Sequence, residues 1–259
     1  GKWVLPEATL GWDALGWAGT ELQHGHGRPW RYTLEQARWL LWWYALDADG
    51  DFLFTDGVLQ RLKGWGKDPM AATLCAIEMI GPCRFAGWDR SGPIATDRPN
   101  AWVQSAAVAL EQTKNTMRLF PSLFTAEAKA HYRIQIGKEY VYALDDERMI
   151  QAVTSSPATL EGGRPTFIEE NETQHWNASN EGHEMADVNE RNKTKAPDGG
   201  ARRLKITNAF EPGEDSVAER DRDAYESAAA ERTADIGLMY DSIEADPKAP
   251  LTADVAPSV

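Results

Sequence analysis

GVLQRLKGWGKDPMAATLCAIEMI, residues 57–80, decides how this chain is read. Val58, Leu59 and Leu62 have the pattern of a short buried strand. Gly64 and Gly66 interrupt it, and Asp68-Pro69 opens an apolar, alanine-rich segment with the length and composition of a helix. A strand, a glycine turn and a helix in that order make a phosphate cradle, because backbone N–H groups and the helix N-terminus converge on one point. Lys67 stands where its ammonium reaches the outer phosphates. The pattern G-x-x-x-x-G-K-[ST] is met in part, with Arg61 at the first glycine position and Asp68 at the hydroxyl position. A lone GWGK turn also suits an ordinary strand-to-helix connection carrying a surface lysine, so the rest of the chain has to supply the other parts of a nucleotide site.

With 259 residues, 42% of them hydrophobic, the chain is long enough for one large α/β domain. Cys75 and Cys83 form neither a C-x-x-C pair nor a zinc signature, which is the usage of a reducing compartment. The apolar run 39–46 is too short to span a bilayer and no signal-peptide pattern opens the chain, so a soluble, intracellular protein is expected. The three N-x-[ST] matches, at Asn171, Asn177 and Asn192, then carry no meaning. Of the net charge of −13, residues 211–259 hold −9 and residues 1–210 hold −4. Such a chain would contact nucleic acid through a local basic patch or through several subunits together, not through bulk counterion release.

Residues 1–32, rich in Gly, Trp and Pro, have no sustained period and are expected to be an irregular arm. His24 and His26 lack a third metal ligand nearby. At Thr33 the pattern T-L-E-Q caps an aromatic helix over 34–46. The DADGD run at 47–51 has the wrong glycine and no terminal Glu for a calcium loop, and reads as a turn. Further on come a Gly/Pro/Asp loop at 81–100, a strand at 101–108, a helix at 111–124, a hairpin at 132–144 turning at Gly137-Lys138, and a strand at 149–154. A loop at 155–165 leads to a strand at 166–170, a helix at 183–195, a strand at 204–208, a charged helix at 216–233 and a last strand at 236–243. Residues 244–259 have a linker's composition. Helices alternating with short apolar strands predict a mostly parallel central sheet covered on both faces.

TFIEENETQHW, residues 166–176, is the second part of the constellation. An apolar strand that delivers acids at its end is how such ATPases place a magnesium ligand and a water-orienting carboxylate. Glu172 is the candidate for that carboxylate, with Asn171 in the metal-ligand position. An acidic loop after an edge strand is the plainer reading of the segment alone. Thr207-Asn208, polar at the end of an apolar strand, can sense a terminal phosphate or simply end the strand. Gln36 can read adenine with its amide or merely complete a helix cap.

Taken in order, T-L-E-Q, K-G-W-G-K-D-P, W-V-Q-S-A-A-V, S-S-P-A-T-L-E-G-G-R-P-T-F, N-E-T-Q-H-W and I-T-N-A-F-x-P-G-E-D-S-V-A-E resemble the large terminase subunit of tailed bacteriophages over residues 32–240, nearest to those of phages that infect actinobacteria. The resemblance implies a P-loop NTPase of the ASCE/RecA-like kind spanning 33–243. It implies hydrolysis of ATP with Mg2+ to drive double-stranded DNA into a procapsid in the host cytoplasm, as a homo-oligomeric ring on the portal protein, with a small terminase subunit as a further partner. It also implies a nuclease domain, for which this chain has no room. By position, Lys67 would contact the β- and γ-phosphates, Gly64, Trp65 and Gly66 would form the turn, and Lys63 or Arg61 would supply a second catalytic cation. Gln36 would bind adenine, Glu172 would be catalytic, and Thr207 with Asn208 would couple hydrolysis to movement. Arg164 is a candidate for reaching a neighbouring subunit's nucleotide. Asp68 and Asn171 depart from the family's hydroxyl and Asp, an exchange that keeps one carboxylate, so Asp68, Asn171 and Glu172 would share the metal environment. The alternatives are a helicase-like ATPase stimulated by nucleic acid, or an assembly module that binds nucleotide without hydrolysing it.

Overall fold

The computed structural model describes residues 4–25, 27–154, 160–196, 200–230 and 237–244. Helices α1 (Gly11–Glu21) and α2 (Leu34–Trp43) flank a two-strand ribbon, β1 (Gln23–His24) with β2 (Arg28–Pro29). Strand β3 (Asp56–Gln60) then runs through the glycine turn into α3 (Lys67–Ile80). A hairpin of β4 (Arg84–Asp89) and β5 (Gly92–Thr96) precedes β6 (Trp102–Ala107), after which α4 (Leu110–Met117), α5 (Phe120–Leu123) and α6 (Ala126–His131) follow closely. Strands β7 (Gln135–Ile136), β8 (Tyr140–Ala143), β9 (Arg148–Thr154) and β10 (Phe167–Asn171) lead to α7 (Gly182–Lys193), β11 (Arg202–Thr207), α8 (Val217–Ala229) and β12 (Leu238–Ser242).

Eight strands form one sheet in the order β12-β3-β11-β10-β6-β9-β8-β7, parallel from β12 to β9 and antiparallel at the β8-β7 edge. Parallel strands need crossovers, and the crossovers put helices on both faces. On one face α3 crosses β6, β9, β10 and β11, while α7 lies against β10 and α8 against β12. Every residue of β10 and β11 is therefore buried, including the charged ones. One strand, β11, separates the strand that feeds the glycine turn from the strand that delivers Glu172. Both of those strands end at the same edge of the sheet, since all three are parallel and in register from Asp56 to Gln60 and from Phe167 to Asn171.

The structure departs from the sequence reading in several places. Residues 11–21, expected to be irregular, are helix α1, whose Leu10, Ala14, Ala18 and Leu22 are fully buried at a four-residue spacing. Glycines at 11, 16 and 19 hid that stripe. At Gly11 an added Cβ would come within 2.8 Å of the Leu41 backbone, so the residue there allows α1 and α2 to approach closely. The loop at 81–100 contains the β4-β5 hairpin, and Leu62, read as part of a buried strand, is exposed beyond the end of β3. Pro121 divides the helix expected over 111–124 into two. Strand β11 begins two residues early, at Arg202, because its arginines are compensated inside the fold rather than lying at a surface. Residues 155–159 of the loop at 155–165 and all of the tail beyond 244 lie outside the described residues. Among the described residues no helix is long and apolar enough to cross a membrane.

Candidate nucleotide site

At the carboxyl edge of the sheet, the chain leaves β3 and turns through Gly64 and Gly66, both with positive φ (89° and 94°), before α3 begins at Lys67. An L-residue is strained at those angles, and Gly66 forms the N-cap of α3 with no side chain between its N–H groups and a ligand. Lys67, only 7% exposed, projects from the first turn of α3. On the other side of β11, β10 ends and Glu172 takes a left-handed conformation (φ 57°, ψ 49°). For a glutamate this costs roughly 1–3 kcal/mol. The kink, fixed by the Glu172 N–H donating to Ile206 O at 2.8 Å, aims the carboxylate across the sheet edge. Lys67 Nζ then lies 2.5 Å from Glu172 Oε1 and 3.7 Å from Asp68 Oδ1. Residues more than a hundred positions apart thus meet where the sequence placed them.

Around this pair the remaining candidates fall into two groups. Asn208 Nδ2 donates to Glu172 Oε2 at 2.8 Å, which brings the Thr207-Asn208 pair directly onto the Glu172 carboxylate. Gln36 completes the α2 capping box with Thr33 and lies close to the turn, its Nε2 3.7 Å from where a Cβ on Gly66 would stand. A cleft of about 410 Å³ opens there, lined among others by Trp30, Arg31, Thr33, Gln36, Gly66 and Pro69. His24, which stacks on Trp30 at 4.1 Å, is part of that lining, and His26 lies outside the described residues. Lys63 is exposed on the turn.

Arg61 is a correction. It is 2% exposed, and its guanidinium is consumed by Glu35 (2.9 Å), Asp241 (3.1 Å) and the carbonyls of Gln60 and Asp241 (2.9 Å each), while it stacks over Trp65 at 5.0 Å. Trp65 Nε1 also donates to Glu35, at 3.1 Å. Both side chains tie the turn to α2 through Glu35, and Arg61 ties it to β12 through Asp241. Arg164 is exposed before the start of β10, at the opposite end of that strand from Glu172, so it is remote from its own subunit's Lys67.

Among the described residues no group of three or more His, Cys, Asp or Glu side chains is placed to hold a metal ion. The Asn171 amide donates to Thr116 Oγ1 on α4 at 3.1 Å, a contact that fixes its plane. Asp68 Oδ1 does have spare capacity, being buried without a hydrogen-bond donor. So does Glu169, which the sequence reading passed over. It is fully buried on β10, with Oε2 accepting from Ser105 Oγ at 2.6 Å and Oε1 unpartnered. Burial, with repulsion from Asp68, Glu170 and Glu172, pushes its carboxyl up to about 8, although the Ser105 hydrogen bond works the other way. Two orphaned carboxylate oxygens beside a phosphate cradle suit a divalent cation held partly by a ligand's oxygens. A second acid in an apolar strand was the available signal for Glu169.

A helix-covered parallel sheet with a glycine turn, a helix-borne lysine and a facing glutamate defines a P-loop-type α/β domain. The comparisons with known proteins agree with that class. No protein-family model matches the chain. It is 42% identical to the Gene 13 protein of Mycobacterium phage L5 and 40% identical to that of Mycobacterium phage D29, in each case over 97% of this chain and 47% of the relative. The chain therefore spans about half the length of the curated relatives it matches. Among solved structures, the large terminase of bacteriophage HK97 superposes over 95% of this chain and 46% of its own, with a TM-score of 0.65 at 15% identity. The chain thus has the fold of a phage large terminase and relatives in phages of an actinobacterial host, as the motifs implied.

Proposed function

We propose that this chain is the ATPase motor domain of a phage large terminase, of the ASCE/RecA-like kind, in which ATP hydrolysis with Mg2+ drives double-stranded DNA into a procapsid. The single observation that carries the reading is the meeting of Lys67 and Glu172 at 2.5 Å across the edge of the sheet. The interposed strand β11 and the positive-φ glycines support it. A triphosphate in the turn would take N–H groups of residues 64–67 and compete with Glu172 for the Lys67 ammonium. Glu172, relieved of that partner, would orient and deprotonate the attacking water, a role worth about 10²- to 10⁴-fold in rate. Asp68 fits a magnesium ligand, because its buried Oδ1 lacks a donor, and Asn171, held by Thr116, would orient the surrounding water. Magnesium would supply charge neutralisation on the β- and γ-phosphates. Gln36 and the adjoining cleft would take the base, and Lys63 a phosphate oxygen. The portal, a small terminase subunit and further copies in a ring are the expected partners, in the host cytoplasm.

The test is Mg2+-dependent phosphate release from ATP together with fluorescent-nucleotide binding. Lys67→Ala is expected to lose binding. Glu172→Gln is expected to keep binding and lose about 10³-fold in kcat. Hydrolysis unaffected by Glu172→Gln would remove the assignment. Nucleotide binding without hydrolysis in the parent chain would favour an assembly module.

A further inference from the structure

We propose that Gln174 is a positioning residue that ties the Glu172 carboxylate to the end of β11, so that a shift of residues 207–208 re-aims the group that acts on water. This rests on the ATPase reading of Lys67 and Glu172 and deepens it. Neither the spacing of the motifs nor the resemblance gave Gln174 a role.

The geometry is specific. A glutamine amide has a donor side and an acceptor side, and here both are used across two strand ends. On the donor side, Nε2 donates to Glu172 Oε2, the same oxygen that receives Asn208 Nδ2. On the acceptor side, Oε1 receives the Thr207 hydroxyl at 2.7 Å and the Asn208 backbone N–H at 3.2 Å. The Gln174 backbone N–H returns to Thr207 Oγ1 at 3.1 Å. Thr207 is fully buried, so water does not replace these bonds without cost.

Two features make the arrangement a link and not a brace. The Thr207 hydroxyl has one proton and two acceptors within reach, Gln174 Oε1 at 2.7 Å and the Asn208 carbonyl at 2.9 Å. It can therefore release Gln174 without being left unpaired. Glu172, for its part, is divided between Lys67 on Oε1 and the two amides on Oε2. When a triphosphate draws Lys67 away, the amides alone hold the carboxylate, and they are anchored on the strand that lies between the nucleotide turn and Glu172. Gln174 thereby gives the 207–208 pair a grip on catalysis that Asn208 alone would provide through a single bond.

Gln174→Met keeps length and bulk and removes both hydrogen-bonding sides. In the 259-residue chain it is expected to lower single-turnover kcat about 10- to 100-fold, the range for removing a partner that orients a working group, with KM and fluorescent-nucleotide affinity within about twofold of the parent. Thr207→Val, which breaks the same link from the other end, is expected to cost a similar factor. The double variant should lose little more than either single one, because the two side chains act as a unit. Unchanged kcat in Gln174→Met, losses that multiply in the double variant, or a rise in KM at constant kcat would each overturn the role of Gln174 while leaving the ATPase reading in place. Nucleotide affinity doubles as the check that the variant is folded. A parent chain that binds ATP and releases no phosphate would instead remove the ATPase reading, and this inference with it.

Discussion

Two charge clusters lie on different sides of the central strands, one against α7 and one beside α3 at the carboxyl edge, and they are built differently. Against α7, Asp56 on β3 has both oxygens paired, Oδ1 by Arg203 Nε at 2.9 Å and Oδ2 by Lys193 Nζ. Arg203 extends the network to Glu190 (2.5 Å) and Glu170 (3.7 Å). Beside α3, Asp68 Oδ1 and Glu169 Oε1 are buried with no donor, and one ammonium serves two carboxylates. The first cluster sets Arg203 and Lys193 against its acids and leaves Glu170 Oε2 without a partner, while the second has the Lys67 ammonium for Glu172 and Asp68. A magnesium–triphosphate ligand with the cradle's N–H groups would complete the second arrangement. The supply of cations, more than burial, separates the two clusters.

The comparison breaks most easily at Arg203. Arg203→Ala leaves Asp56, Glu170 and Glu190 without their guanidinium and is expected to cost about 3–5 kcal/mol in denaturant unfolding, with nucleotide affinity of the folded protein unchanged. Full stability with lost nucleotide binding would reverse the assignment of the two clusters.

Asp56 and Glu169 should answer pH with opposite sign, while burial raises Glu170 in the first cluster as well. Burial alone would raise the Asp56 carboxyl, but Arg203 and Lys193 hold it below its usual 3.8. Its contribution is present above that value and is lost as pH falls through the lower folded one. Glu169, pushed up from 4.5 to about 8, keeps in the fold a proton that the unfolded chain releases. Stability therefore declines as pH rises from 4.5 to about 8 and levels off above. The whole decline amounts to a few kcal/mol at most, since a tenfold change in proton affinity is worth about 1.4 kcal/mol. Unfolding midpoints in metal-free buffer are expected to show this decline in the parent chain and in Asp56→Asn, and a flatter profile in Glu169→Gln. A decline of the same slope in Glu169→Gln would show that the carboxyl is not the cause.

A smaller effect tests the exchanged pair. Asp68→Ser is expected to weaken the magnesium requirement for hydrolysis about 10- to 100-fold in apparent affinity, and Asn171→Asp added to it should recover part of the loss. If each single change leaves magnesium-dependent hydrolysis as it was, the two positions do not compensate one another.

What was legible in the sequence follows the range over which each feature is encoded. The glycine turn, Lys67, the apolar run into Glu172 and the Thr207-Asn208 strand end are local signals, and they meet at one edge because parallel strands leave them no alternative. Arg61 could not be read locally, since its partners Glu35 and Asp241 lie far away on either side of it in the chain. Arg202 and Arg203 look like surface residues until Glu78, Asp56 and Glu190 are seen around them. Helix α1 was concealed by its glycines, and Gln174 by having partners more than thirty residues away.

Gln36 remains the residue with two readings, and the smallest predicted effects separate them. Its Oε1 accepts the Thr33 N–H at 3.0 Å, and Thr33 Oγ1 accepts the Gln36 N–H at 3.2 Å, a reciprocal cap for α2. Its amide also borders the 410 Å³ cleft beside Gly66. Thr33→Ala removes half of the cap and is expected to cost about 1 kcal/mol of stability with no change in preference among bases. Gln36→Glu keeps the cap, because a glutamate at that position accepts the same N–H, but it withdraws the amide donor from the cleft. The expected outcome is near-parental melting with a loss of ATP affinity of up to about tenfold, roughly one hydrogen bond, and a reduced preference for ATP over GTP. If Gln36→Glu leaves both affinity and preference as they were, Gln36 is a helix cap alone and the base must be held by other residues lining the cleft.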